Sequence, residues 1–317
     1  MTDLPPPDAA DSTQPPRRRL LERFHRRRNP RRRLLRRTAV LPAMFTLGNG
    51  LFGLASIHFA TKDALGSATL ENLALAAWMI AFAMICDMLD GRVARMTRQT
   101  SDFGGQLDSL SDVLSFGAAP AILMLRTSVM ALRQSDVSWA GPGIERVIWA
   151  IAAIYLSCTA LRLARFNVEN QPDESAHMKF RGLPSPGAAA PIVAMTLLLH
   201  QLASDPALPM ATAAAPATAP AADPFFLGIA AAFMPVMTLV LGLLMVSRFQ
   251  YSHVINQTFR GRRPVTYLVK LLVVLLLALW QPFVAMALLS LAFSLSGPIG
   301  GAWRRLRAKK DAEPPAA

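Results

Sequence analysis

Four aspartates lie close together in parts of the chain that are otherwise apolar: Asp87 and Asp90, then Asp108 and Asp112. A charged residue at the centre of a membrane-spanning helix costs about 2.5–3.5 kcal/mol on insertion scales. Each pair has helical spacing, because residues three or four positions apart lie on the same face of a helix. The polar connection at 97–101 is short. We therefore expect two antiparallel neighbouring helices whose carboxylates face one cavity.

The charge of such a cavity indicates divalent cations. Four close carboxylates cannot all stay ionised without compensation, and two divalent cations would balance them. A ligand set made only of oxygen favours Mg²⁺ or Mn²⁺ over zinc. Two such ions about 4 Å apart form the clamp used in phosphoryl displacement. Gly91 and Gly104 leave room for a phosphate or nucleotide beside the backbone, and Arg95 offers a fork for phosphate oxygens.

The composition indicates which elements hold these residues. The chain has 317 residues, of which 53% are hydrophobic and 17% are charged, whereas soluble domains contain about 25% charged residues. A spanning helix needs about 20 apolar residues. The chain has eight apolar stretches near this length, at about 39–60, 71–90, 105–126, 146–165, 186–202, 225–247, 267–281 and 282–299. We predict an all-α fold, a polytopic transmembrane helix bundle of about eight spans; the last two stretches could be one segment interrupted at Gln281-Pro282.

The basic residues are distributed unevenly. Of the 33 lysines and arginines, twelve lie between Arg17 and Arg37, directly before the first apolar stretch. We interpret this run as an anchor on anionic lipid headgroups, since nothing else in the chain supports nucleic-acid binding. With the N-terminus in the cytoplasm, the basic connections at 92–98, 162–181 and 248–263 fall on the same side. The positive-inside rule then predicts an even number of spans, with both termini and the carboxylates cytoplasmic.

The chain divides into three regions on these criteria. We expect a disordered, Arg-rich cytoplasmic tail at 1–37, a transmembrane catalytic bundle at 38–303 and a basic cytoplasmic tail at 304–317. Cys86 and Cys158 fall in different apolar stretches, and their spacing predicts neither a disulfide framework nor a metal site.

The carboxylates belong to a longer pattern, D-x2-D-G-x2-A-R-x8-G-x3-D-x3-D. Its eight fixed positions are Asp87, Asp90, Gly91, Ala94, Arg95, Gly104, Asp108 and Asp112. This pattern resembles the signature of the CDP-alcohol phosphotransferases. Segments at 41–49, 107–120 and 160–186 are similar to those of the membrane-embedded bacterial phosphatidylserine synthases within that family. The resemblance extends over about residues 40–190.

The resemblance implies a reaction, a fold and roles for individual residues. The reaction would transfer the phosphatidyl group of CDP-diacylglycerol to L-serine, giving phosphatidylserine and CMP. The enzyme would have six core helices, act in the bacterial inner (cytoplasmic) membrane and form a homodimer. Two divalent cations, Mg²⁺ or Mn²⁺, would be held by Asp87, Asp90, Asp108 and Asp112, and Asp112 would also be the catalytic base. The nucleotide and diphosphate would contact Gly91, Ala94, Arg95, Gly104 and Thr46.

The acceptor alcohol is less constrained by the sequence. The carboxylate of serine needs a cationic partner, for which Arg165 and Arg181 are candidates, with Asn167 as a polar helper. Each arginine has an equally simple interpretation as a topological charge on the cytoplasmic side. Three alternatives stay open: the same chemistry on glycerol phosphate, inositol phosphate or choline; a cation- or proton-coupled transporter; and a catalytically idle lipid-binding relative. The intact aspartates disfavour the last.

Overall fold

The structure is a computed structural model that describes residues 40–62, 69–97, 102–134, 141–169, 182–204, 224–249, 251, 272 and 275–311. The described residues are helical or lie in short connections, and none of them belongs to a β-strand. The predicted all-α fold is therefore confirmed. The Arg-rich tail predicted at 1–37 lies outside the described residues, and part of the tail predicted at 304–317 continues the last helix as far as Asp311.

The helices are labelled α1 to α8 in chain order. They are α1 Val40–Thr61, α2 Leu70–Thr97, α3 Asp102–Asp112, α4 Ala119–Gln134, α5 Pro142–Glu169, α6 Ser185–Ser204, α7 Pro224–Val246 and α8 Pro282–Asp311. A π-helical segment, Val113–Ala118, joins α3 to α4, so that the two form one continuous rod. This segment begins directly after Asp112, and π-helical turns often occur beside functional sites.

Six segments of the described chain are long and apolar enough to cross a membrane. They are Ala43–Thr61, Leu70–Val93, Phe103–Arg133, Pro142–Val168, Ser185–Ser204 and Pro282–Gly301. A shorter apolar helical segment, Ala232–Val246, forms most of α7. These segments confirm the prediction of a polytopic helix bundle. The predicted stretch 267–281 lies largely outside the described residues; 275–280 are helical, and the helix breaks at Gln281 before α8 begins.

The helices pack around α1 and α7. Helix α1 packs along α2 and also contacts α3 and the π-helical segment, while α4 and α5 pack on α7, and α6 packs on α8 and α2. Gly53 allows the close crossing of α1, because a Cβ atom there would lie 2.7 Å from the Cα of Ser115. The buried Tyr155 hydroxyl donates a 3.1 Å hydrogen bond to the Phe116 carbonyl within the π-helical segment. This hydrogen bond attaches the π-helical segment to α5.

Successive spans alternate in direction, and this brings five helix ends together. The start of α1, the end of α2, the start of α3, the end of α5 and the start of α6 lie at one end of the bundle. The last of these is fixed by backbone hydrogen bonds, from Gly182 N–H to Phe249 O at 2.8 Å and from Leu183 N–H to Leu244 O at 3.2 Å. Gly182 has φ +87°, and a Cβ there would lie 2.3 Å from the Met245 carbonyl oxygen. Only glycine fits this connection.

Candidate active site: carboxylates on two helices

Three of the four predicted carboxylates form a compact cluster. One carboxylate oxygen from each of Asp87, Asp90 and Asp108 lies within 4.8 Å of the other two. Asp87 and Asp90 come from the last turns of α2, and Asp108 comes from the middle of α3. The predicted convergence of the two helices on one site is therefore what the fold produces. Asp90 is 6% exposed, whereas Asp87 and Asp108 are half-buried.

Asp112 lies beside this cluster and has a different environment. It is 8% exposed, and its Oδ1 accepts a 2.9 Å hydrogen bond from Nδ2 of Asn49 on α1. Its carboxylate interacts electrostatically with Asp87 and Asp108. Asn49 is fully buried, so this donor is fixed by the packing of α1 against α3. Asp112 is thus oriented by a neutral amide, which is suited to holding one carboxylate oxygen while the other stays available.

Helix α1 also reaches the three-carboxylate cluster. The Oγ1 of Thr46 donates a 3.1 Å hydrogen bond to Oδ2 of Asp90, and both residues are buried. Thr46 and Asn49 are three residues apart and share one face of α1. That face therefore supports the carboxylates of α2 and α3 together.

A basic residue of α5 lies level with Asp112. Arg162 is half-buried and lies between Tyr155 and Asn167, which bond Phe116 and Ser109 on either side of Asp112. Its charge acts on Asp112 and Asp87. One of its terminal nitrogens donates a hydrogen bond to Oγ of Ser185, the fully buried first residue of α6. From the sequence, Arg162 counts among the charges of a cytoplasmic connection, at the end of the apolar stretch 146–165. Helix α5 instead continues to Glu169, and Arg162 lies inside it.

The carboxylate cluster fits a divalent cation. Its donors are all oxygen, which Mg²⁺ and Mn²⁺ prefer. Oδ1 of Asp108 is buried and accepts no hydrogen bond from any described residue. A buried carboxylate oxygen without a donor is costly unless a cation or proton satisfies it. The residues present therefore suit the ions that the sequence predicts.

The structure describes only some of the residues predicted to contact the nucleotide. Gly91 follows Asp90 in α2, and a Cβ atom there would meet no atom of the described residues within 4 Å. Gly104 lies one turn before Asp108 on α3. Ala94 and Arg95 belong to α2, but their side chains lie outside the described residues.

The acceptor candidates are also only partly described. Arg165 is half-buried on α5, one turn beyond Arg162. The Asn167 side chain exchanges hydrogen bonds with Oγ of Ser109, at 2.9 Å from its Nδ2 and 3.1 Å to its Oδ1, and so links α5 to α3. Arg181 lies outside the described residues.

Three residues at the site were not predicted from the sequence: Asn49, Arg162 and Ser185. Asn49 carries the clearest signal, because it is a polar residue in an apolar stretch and shares a helical face with Thr46. Arg162 has a weaker signal, its three-residue separation from Arg165. Ser185 has none, since only the attachment of the start of α6 to the end of α7 brings it to the guanidinium.

Comparison with known proteins agrees with the geometry of the site. Residues 39–220, more than half of the chain, match the family model described as CDP-alcohol phosphatidyltransferase. The chain belongs to this family. Members use divalent cations, which agrees with the oxygen-only carboxylate cluster. The family match gives no support to a transporter.

Several curated relatives in this family carry the same name, CDP-diacylglycerol–serine O-phosphatidyltransferase. The Helicobacter pylori protein is 33% identical over 159 residues, which is 50% of this chain and 58% of that protein. The Mycobacterium tuberculosis protein is 34% identical over 166 residues, 51% of this chain and 50% of that protein. The Bacillus subtilis protein is 31% identical over 162 residues, 51% of this chain and 78% of that protein. The chain thus spans about half of the length of the first two.

Proposed function

We propose that this protein transfers the phosphatidyl group of CDP-diacylglycerol to the hydroxyl of L-serine, giving phosphatidylserine and CMP. The observation that carries the proposal is the cluster of Asp87, Asp90 and Asp108, with Asp112 beside it, in a chain of this family. The apolar helices support it too, because a site carried by membrane-spanning helices suits a lipid substrate. The names of the relatives support serine as the acceptor.

In this proposal the carboxylates have two tasks. Asp87, Asp90 and Asp108, with Asp112 at the edge, hold two divalent cations, Mg²⁺ or Mn²⁺, which supply charge neutralisation to the diphosphate when bound. Asp112 accepts the proton of the serine hydroxyl. The serine oxygen bonds to the lipid-side phosphorus, and the bond from that phosphorus to the CMP oxygen breaks in line. The transferred phosphoryl stays on the lipid, and CMP leaves with the electron pair.

The remaining candidate residues position the two substrates. Thr46 holds Asp90 and lies on the helix face that borders the site. Gly91, Ala94, Arg95 and Gly104 line the CMP and diphosphate pocket in this proposal, and the space at Gly91 supports that assignment. Arg165 and Asn167, in the last turns of α5, and Arg181 are proposed to contact the acceptor.

The proposal extends to location and assembly. We place the protein in the bacterial inner membrane with both termini and the carboxylates in the cytoplasm, supported by the basic connections of the sequence. Residues 1–37 and 304–317 are then cytoplasmic tails of a catalytic bundle at 38–303, and the bundle acts as a homodimer. Reporter fusions after residues 62 and 311 test the orientation, with the first predicted external and the second cytoplasmic.

The acceptor is tested by measuring CMP release from CDP-diacylglycerol by the purified protein in detergent with Mg²⁺ or Mn²⁺. Serine is compared with glycerol 3-phosphate, inositol 1-phosphate, choline and buffer. The proposal predicts CMP release with serine well above every other condition. Release with another alcohol, and none with serine beyond buffer, would show the same chemistry on a different acceptor.

A further inference from the structure

Arg162, on α5, is placed to hold an acceptor alcohol while the hydroxyl of that alcohol reaches Asp112. We infer that the Arg162 guanidinium binds the carboxylate of the amino-alcohol acceptor and is the main determinant of acceptor choice. The inference rests on the proposed function, since it assumes that serine is the substrate. It goes further by assigning recognition of the serine carboxylate to a single residue, Arg162, which lies nearer to the aspartates than the candidates at the end of α5.

The first support is the location of the charge. In serine, only Cα and Cβ separate the carboxylate from the hydroxyl oxygen, so both groups must be bound within one small space. The hydroxyl has to approach Asp112 to lose its proton. On α5, Arg162 lies between Tyr155, which bonds the Phe116 carbonyl, and Asn167, which bonds Ser109. Asp112 lies between Ser109 and Phe116 on the facing helix, so Arg162 is level with Asp112, and its charge acts on that carboxylate.

The second support is the way in which the guanidinium is held. Its single hydrogen bond among the described residues goes to Oγ of Ser185. Ser185 is fully buried and follows the Gly182–Leu183 connection, which is bonded to the end of α7. The guanidinium is thereby fixed at one corner by a rigid part of the fold. A side chain ordered in advance loses less entropy when it binds a ligand.

The third support is the unused donor capacity. A guanidinium carries five N–H groups in a planar fork that matches the two oxygens of a carboxylate. Ser185 takes one of these groups. The edge that remains can form a bidentate pair, and such pairs are stronger and more directional than bonds to a neutral partner.

Other described arginines are in different environments. Arg126 donates to the Ala60 carbonyl at 3.2 Å, Arg133 pairs with Glu145 at 3.1 Å, and Arg146 is exposed near the start of α5. Each lies toward the end of its bundle helix that is remote from the aspartates. Arg146 belongs to the same helix as Arg162, which makes it a matched control.

The test uses full-length protein and the variants R162Q, R162K and R146Q. Steady-state kinetics give KM for serine and for CDP-diacylglycerol separately. Thermal shifts give binding without turnover: first CMP with Mn²⁺, then serine added to the CMP-bound protein. Ethanolamine, which is serine without its carboxylate, serves as a poor acceptor for comparison.

For R162Q we expect KM for serine to rise roughly 10- to 100-fold, the factor that loss of a hydrogen bond to a charged group produces. KM for CDP-diacylglycerol should stay within about threefold of wild type, the CMP shift should remain, and the serine shift should vanish. Activity with ethanolamine should change little, so the preference for serine falls. R146Q should behave as wild type.

Three results would overturn the assignment. One is a wild-type KM for serine in R162Q. Another is an equal rise in both KM values, as expected if the arginine binds phosphate or only balances the carboxylates. If R162Q does not fold, R162K decides: it keeps the charge without the fork, and an unchanged serine KM in R162K contradicts bidentate binding. A wild-type protein that releases no CMP with serine overturns the proposed function and this assignment together.

Discussion

The Nδ2 of Asn49 donates a 2.9 Å hydrogen bond to Oδ1 of Asp112, across the contact between the first helix and the third. Asn49 is fully buried, and Asp112 is nearly so. A neutral donor therefore fixes the carboxylate to which we assign the acceptor proton. The rotamer of Asp112 depends on the packing of α1 as much as on its own helix.

Replacing Asn49 should impair turnover more than substrate binding. Asn49→Ala removes the donor, and Asp112 then loses a bond worth about 1.5–3 kcal/mol, so kcat should fall roughly 10- to 100-fold. KM for CDP-diacylglycerol should change little. The measurement is steady-state CMP release at saturating serine. Asn72→Ala, at the far end of the bundle in α2, is the matched control, and an equal loss of kcat in both variants would contradict this role of Asn49.

Thr46 should act on cation binding, because its hydroxyl orients Asp90. Loss of a partner that orients a metal ligand typically costs about 10- to 100-fold in metal affinity. For Thr46→Val we expect weaker Mn²⁺ binding by a factor in that range, measured by the electron paramagnetic resonance signal of free Mn²⁺. Thr196→Val is the control, since that hydroxyl bonds only the Ile192 carbonyl in its own helix. Wild-type Mn²⁺ affinity in Thr46→Val would refute the prediction.

Two glycines should separate packing from function. A Cβ at Gly53 would lie 2.7 Å from the Cα of Ser115, so Gly53→Ala forces α1 away from the π-helical segment. Overpacking of this kind costs about 1–3 kcal/mol of stability, visible as a lower melting temperature in detergent. A Cβ at Gly91 meets no described atom within 4 Å, so Gly91→Val should fold normally and raise KM for CDP-diacylglycerol by filling the nucleotide side.

The same two variants also show whether the assignment of Gly53 to helix packing and of Gly91 to the nucleotide pocket is wrong. If Gly91→Val is as unstable as Gly53→Ala, the space beside Asp90 is needed for folding rather than for substrate. If it is stable and its KM for CDP-diacylglycerol is unchanged, Gly91 does not line the pocket. Gly143→Ala is the control, because a Cβ there also meets no atom within 4 Å in the part of the chain that the structure describes.

The link between α3 and α5 should also be measurable. Ser109 and Asn167 hydrogen-bond to each other, and we expect this contact to hold the end of α5 against the carboxylate helix. Ser109→Ala should therefore raise KM for serine modestly, by about two- to tenfold, the range expected for one neutral hydrogen bond. Ser157→Ala, which loses only a bond to Ala153 O within α5, should leave KM for serine unchanged. Matching KM values for both variants would assign Ser109 to local helix structure alone.

The sequence was most informative where helical periodicity and membrane energetics act together. The spacing of Asp87, Asp90 and Asp108 on two apolar stretches predicts one cluster, and the structure has it. The break at Gln281-Pro282 was also predictable, because proline disfavours a helical conformation in the residue before it and suits the first position of a new helix. Both features depend on residues near each other in the sequence.

The contacts that the sequence did not reveal come from elements far apart in the chain. The pairing of Asn49 with Asp112 spans 63 residues, and that of Arg162 with Ser185 depends on a connection held by Gly182. Periodicity gives the face of each helix but not its neighbour. The extension of α5 past Arg165 to Glu169 was missed because arginines at the end of an apolar run are typical of a loop on the cytoplasmic side.

The central claim is that the carboxylates of α2 and α3 catalyse transfer of a phosphatidyl group to serine. The most direct measurement follows labelled serine into lipid and CMP into the aqueous phase, using purified protein in vesicles containing CDP-diacylglycerol and Mn²⁺. Wild type should form labelled phosphatidylserine and CMP in equal amounts. Asp90→Asn and Asp108→Asn should lower both by about 100-fold or more, while Glu145→Gln, at the far end of α5, should keep both. Undiminished labelled lipid from the two aspartate variants would contradict the account.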